Sequence, residues 1–225
     1  MNRFAGVNEV RLKRVGTVDQ VAQHLRAMIA NGQLAQGEKL PEIPLSEALG
    51  VSRNTLRDAL RVLGAEGLVQ HQLHRGVVVR ELSTRDVIDI YAVRRMLEIE
   101  GLRAMPVAPV AARNHLRETL DQLEAALAAE DYTMLAEHEL SFHGAIVGLL
   151  DSERFDRFFS QVLAEVRLLF GGLTDNNAPV PGRKLVRSYR GIVQAAEAGE
   201  IDRAVKLLRD HLDRYERRLR ASIVS

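Results

Sequence analysis

A chain of 225 residues with 46% hydrophobic content has material for one large or two modest domains, and two is the expected number. The absence of cysteine excludes a disulfide framework and a thiolate metal site, and no run of ~18 apolar residues suggests a membrane span or a signal peptide, so a soluble cytoplasmic protein is expected. The net charge of +1 hides an asymmetry: residues 1–80 hold 11 Lys/Arg against 7 Asp/Glu, and residues 81–225 hold 20 against 23. A basic head on an acidic body suits a polyanion partner. With no aromatic residue between Phe4 and Tyr91, the stacking platforms used on single strands are missing and duplex DNA is the polyanion to expect.

Residues 1–16 lack periodicity and read as a flexible basic arm. From Thr17, apolar residues at Val18, Val21, Ala22, Leu25, Met28 and Ile29 keep helical spacing until NGQLAQGEKLP interrupts it. A short second helix over Ile43–Leu49 is closed by Gly50. Ser52 then caps a third helix that runs to about Glu66, with Gly67 as its stop. The text changes at LVQHQL, HRG, VVVREL, where alternation and β-branching predict an antiparallel hairpin. Three helices and a two-stranded wing over 17–80 make a winged helix-turn-helix. A linker at 81–84 leads into an all-α body over 85–225, with six helices expected near 84–105, 109–129, 131–150, 152–171, 183–198 and 200–222. The one long connection, 171–182, has the length of a lid or cavity mouth.

In the third helix Leu56, Leu60 and Leu63 form one face, while Arg53, Arg57 and Arg61 step along another, with Asn54 and Thr55 in the first turn. A recognition helix meets the major groove by its N-terminal end, which places Arg53, Asn54, Thr55 and Arg57 toward bases or phosphates. The run from LRAMIANGQLAQGEKLP through LSEALGVSR, TLRDALRVL, EGLV and the RG of the wing resembles the N-terminal domain of the GntR family of bacterial transcription regulators. That resemblance implies binding of duplex DNA by a homodimer at an inverted repeat, with Arg53 and Arg57 on the DNA and the wing tip His74, Arg75 and Gly76 at the minor groove. Some relatives carry a further arginine where this chain has Ile43 and Pro44.

The stretch HELSFH at 138–143 is no zinc-protease motif. Its histidines are five apart, roughly 140° round a helix, whereas that motif needs four. Glu139 and His143 are four apart and share the apolar stripe of Leu135, Ile146, Val147 and Leu150, so both face inward. His211 lies on the buried face of the last helix, and Tyr189 on that of the helix before it. Buried polar groups need partners, so a pocket centred on Glu139, His143, Tyr189 and His211 is expected.

The segments IYAVRRMLEIEGLRA, ELSFHGAIVGLL and YRGIVQAAEAGEIDRAVKLLRDHL resemble the FCD ligand-binding domain of the FadR subfamily. That resemblance implies a divalent metal, zinc or nickel-like, held by a carboxylate and three histidines beside a small organic-acid effector. Here Glu139 stands where Asp is usual, His143 and His211 are kept, and Tyr189 stands in place of the third histidine. Three readings stay open: a three-ligand metal site, a metal-free pocket that hydrogen-bonds its ligand directly, and a structural polar cluster. Arg94 and Arg167 are candidates to pair with an effector carboxylate, with Arg–Glu pairing to Glu98 or Glu165 as the alternative. The expected function is an effector-controlled transcription regulator, with repression the expected sign. The rivals are a metal-dependent hydrolase or lyase on the helical body, for which no nucleophile elbow or phosphate loop is present, and a dimerisation module without DNA binding.

Overall fold

Within the head, each turn is specified by a local device. A computed structural model of the chain describes residues 15–30, 32–171 and 182–223, so nearly all of the arm at 1–16 and the interior of the 171–182 connection lie outside the described residues. The chain divides into two compact units, Met1–Glu81 and Leu82–Ser225. In the first, α1 (Val15–Ala30) packs on α3 (Arg53–Ala65) through Val21, Ala22, Leu25 and Ile29 against Leu56, Ala59, Leu60 and Leu63. Arg26 adds a two-pronged pair to Glu66, at 2.9 and 2.6 Å.

The short α2 (Glu42–Ala48) leads through Gly50, at φ 63°, to Ser52, whose hydroxyl accepts the Thr55 amide at 3.1 Å and caps α3. At the other end Gly67, at φ 74°, stops the helix by sending the Leu68 amide back to the Leu63 carbonyl and its own amide to Gly64. The hairpin follows as β1 (Val69–Gln72) and β2 (Gly76–Val79), antiparallel, with Val69 opposite Val79 and Gln72 opposite Gly76. As strands the pair is shorter than the sequence suggested, although the Arg80 amide still donates to the Leu68 carbonyl at 2.9 Å, one step beyond Val69 and Val79. It also gains an edge that the sequence did not announce: residues 37–40, expected only as helix punctuation, run beside β2, with Leu40 donating to Val77 and Val79 to Glu38.

Among the described residues, the second unit holds six helices: α4 (Thr84–Ala104), α5 (Val110–Ala128), α6 (Tyr132–Gly148), α7 (Glu153–Gly171), α8 (Gly182–Glu197) and α9 (Ile201–Ile223). Ser83 and Asp86 form a reciprocal capping box, so the predicted linker already contains the start of α4. α4 packs against α6, α7 and α9, and α5 against α6 and α8, while α8 lies on α9. Arg95 ties α4 to α9 through Glu216 at 2.6 Å and Asp213 at 3.1 Å.

The crossing of α4 on α6 depends on Gly101, where an added Cβ would stand 2.2 Å from the Ile146 carbonyl oxygen. That neighbour is backbone and cannot swing aside. Gly101→Ala is therefore expected to destabilise the second unit by about 2–3 kcal/mol, read as a lowered urea midpoint with unchanged slope. An unchanged midpoint would show that the helices separate at no cost.

Candidate functional site

The first candidate surface is the N-terminal turn of α3 with the wing. Arg53, Asn54 and Arg57 are exposed. Arg57 donates to Glu42 of α2 at 2.7 Å, and Arg61 pairs with Asp58. Thr55 is partly taken up in the cap, its hydroxyl 2.8 Å from Ser52 Oγ. At the wing tip His74 adopts φ 63° and Gly76 φ 80°, while Arg75 donates to Gln72 and to the Gly37 carbonyl at 3.0 and 3.2 Å. The bonds of Arg75 fold it back onto the wing's edge segment. The Glu42 counter-charge on Arg57 carried no signal in the sequence, since it depends on the α2–α3 angle.

The second lies inside the helical unit. His143 on α6, Tyr189 on α8 and His211 on α9 are buried, and Glu139, a partly exposed residue, turns its carboxylate toward them. The Tyr189 hydroxyl donates to Glu139 at 2.9 Å and lies 3.1 Å from His211 Nε2 and 3.2 Å from His143 Nε2. The other nitrogen of His143 meets Glu98 at 2.6 Å, and the second oxygen of Glu98 accepts from Arg94 Nε at 2.8 Å. A chain of hydrogen bonds thus runs from α4 through α6 to α8 and α9. Arg94 joins it through the Glu98 pair that the sequence offered as the alternative to an effector contact. Arg167 does not: it pairs with Glu137 instead, leaving its Nε buried and without a partner. Glu98 was legible only as a partner of Arg94, and its grip on His143 was missed.

Electrostatics follow the geometry. Burial alone would raise the Glu98 carboxyl, but Arg94 and His143 beside it outweigh that and hold it below the usual carboxylate range. Burial raises Glu139 despite His143 and Tyr189, and burial together with the Glu139 charge raises the Tyr189 phenol well above its ordinary value. His211 is pushed well below 6.5 by burial, with His143, Arg94 and Arg214 adding repulsion.

A histidine kept neutral in the fold and protonated in the unfolded chain contributes stability that is complete above pH 6.5 and is lost as pH falls below it. The slope is at most about 1.4 kcal/mol per pH unit. The raised Glu139 acts with the opposite sign, its contribution being lost as pH rises through its folded value. Comparing wild type with His211→Gln isolates the histidine. The drop in urea midpoint from pH 7.5 to 5.5, about two units apart, is expected to be smaller in the variant. Parallel profiles would contradict the assignment.

Two donors in this region lack partners. Among the described residues, Arg94 Nη2 and the Tyr91 hydroxyl are buried without a hydrogen bond of good geometry, and the Arg94 guanidinium stands 4.9 Å from the Tyr91 ring centre. Glu139, His143 and His211 also offer one ligand atom each within 4.8 Å of one another, a group that could hold a metal ion.

A basic helix beside a wing, followed by a helical unit with a buried polar centre, defines a DNA-binding regulator with a sensor domain. The chain belongs to the GntR family of bacterial regulatory proteins: that family's model matches residues 17–79, and the FCD domain model matches residues 89–214. Among curated relatives, the probable D-xylose utilization operon transcriptional repressor of Paenarthrobacter nicotinovorans is 27% identical, covering 91% of this chain and 89% of that protein. The gluconate operon transcriptional repressor of Bacillus subtilis is 28% identical over 62% of this chain and 58% of its own length. A GntR transcriptional regulator of Rhodococcus sp. RHA1 has a solved structure that is 31% identical, with a TM-score of 0.77, covering 90% of this chain and 96% of that one. The protein is thus a transcription regulator with an FCD effector-binding domain. Among the described residues, no helix is long and apolar enough to cross a membrane.

Proposed function

We propose that the chain acts in the cytoplasm as a homodimeric repressor whose affinity for an inverted-repeat operator is set by a small organic acid bound in the helical unit. The observation that carries the reading is the exposed first turn of α3, with Arg53, Asn54 and Arg57 presented beside the wing in the domain that matches the GntR model. A two-fold dimer presents two such turns to two half-sites, which is why the operator is expected to be palindromic. The relatives named as repressors support the sign.

The unpartnered Arg94 Nη2 and Tyr91 hydroxyl support an acidic effector. A buried donor without an acceptor costs about 1–3 kcal/mol, and a carboxylate arriving there would satisfy both. The effector can change operator affinity only by the ratio of its affinities for the two operator-binding states.

The test is titration of the purified chain onto labelled duplexes from the DNA flanking its own gene. Affinity for one inverted repeat at least about 1,000-fold above a scrambled duplex is expected, falling steeply with salt. Equal affinity for both would remove the operator from this reading.

A further inference from the structure

We propose that the Tyr189 hydroxyl stands in the place of a divalent cation, so that this sensor unit holds its acidic ligand without a metal, and that Tyr189 alone decides the difference. The inference deepens the effector reading above, but it is read out without DNA.

The hydroxyl oxygen makes contacts of 2.9, 3.1 and 3.2 Å with Glu139 Oε1, His211 Nε2 and His143 Nε2, the residues that could otherwise ligate an ion. Bonds to zinc are about 2.0–2.2 Å, so an ion bound to all three ligands would crowd the phenol oxygen or displace it. A phenol carries one proton and two lone pairs, and three contacts use all of them. It can give its proton to one of the three neighbours, and the other two must point protons at it. With that proton on Glu139, each imidazole Nε2 can bond to the hydroxyl only in the tautomer that carries its hydrogen there, where a metal would need a free lone pair.

Neither can the ring step aside. Tyr189 is fully buried on α8 between Leu185, Val193 and the Phe142 ring, whose centre lies 4.5 Å from its own. His143 and His211 close the other sides, at 5.5 and 4.8 Å between ring centres.

Histidine at this position would end roughly 2 Å short of the phenol oxygen, about one metal–nitrogen bond length. Tyr189→His should therefore vacate the centre and supply a fourth ligand in one step. The tyrosine thus acts as a specificity residue: it neutralises the ligand atoms by hydrogen bonding, and an effector must meet hydroxyl, imidazole and guanidinium groups instead of an ion.

The experiment uses the full chain, stripped with chelator and dialysed separately against zinc and nickel, with bound metal measured by mass spectrometry and melting followed with and without each metal. Wild type is expected to bind neither stoichiometrically and to melt at the same temperature in their presence. Tyr189→His is expected to take up one ion per chain, at least about 100-fold more tightly, and to melt higher when loaded. Adding His211→Ala should abolish that uptake. One tightly held ion per wild-type chain, lost on His211→Ala, would overturn the proposal, as would a folded Tyr189→His that binds no metal. If Tyr189→His does not fold, the wild-type measurement decides by itself.

Discussion

Glu98→Ala is expected to cost the helical unit about 3–5 kcal/mol, enough to unfold many domains of this size. Glu98 is fully buried, and its two oxygens serve two partners, Arg94 at 2.8 Å and His143 at 2.6 Å. Arg94 is itself 2% exposed. Truncation would strand a guanidinium that has no water to turn to, and desolvation makes an orphaned charge far more costly than the pair is worth. Glu98→Gln keeps the volume but not the charge and should still lose much of the stability.

The double variant Arg94→Met, Glu98→Leu removes both charges and should recover part of the loss, the remainder reflecting the unpartnered His143 Nδ1. Urea denaturation of wild type, Arg94→Met, Glu98→Leu and the double variant gives a coupling energy, expected at about 2–3 kcal/mol. A loss below about 1 kcal/mol for Glu98→Ala would mean that water reaches the pair, contrary to the packing described.

The second large effect is on DNA. Arg53→Ala and Arg57→Ala are each expected to weaken operator binding by about 1–3 kcal/mol, roughly 5- to 150-fold, without changing the melting temperature. Both side chains are exposed, so the fold loses little. A phosphate contact should also lower the salt slope by about one, whereas a base contact should relax sequence preference at one position. Arg57 must leave Glu42 to reach DNA, but that pair is half exposed, with side chains at 55% and 31%, and is cheap to break. Glu42→Gln is accordingly expected to tighten binding. Binding by Arg53→Ala and Arg57→Ala equal to wild type would move the interface elsewhere.

The sequence carried the elements far better than their meetings. Helical periodicity alone put Glu139 and His143 on one stripe, Tyr189 on the next-to-last helix and His211 on the last, and the fold brings these side chains to one hydroxyl. Each was legible because a polar residue on an apolar face must find a partner. Glu98 was only half legible: Arg94 is four residues away, within one helix, but His143 is 45 residues away and is reached only through the α4–α6 crossing that Gly101 permits. Arg167 was less legible, since the partner it takes, Glu137 on α6, lies on another helix and leaves no mark on its own stripe. In the head, the edge formed by residues 37–40 escaped notice because its backbone bonds need no side-chain pattern.

The most direct test of the account is reciprocal linkage between effector and operator. With a panel of small mono- and dicarboxylic acids, one acid is expected to change operator affinity by a factor of about 5–150, and saturating operator is expected to change that acid's affinity by the same factor. Tyr91→Phe, which removes a buried hydroxyl without stranding a charge, should weaken the response while leaving operator binding in place. An acid that binds the helical unit yet leaves operator affinity unchanged, with no other acid in the panel shifting it, would contradict the account.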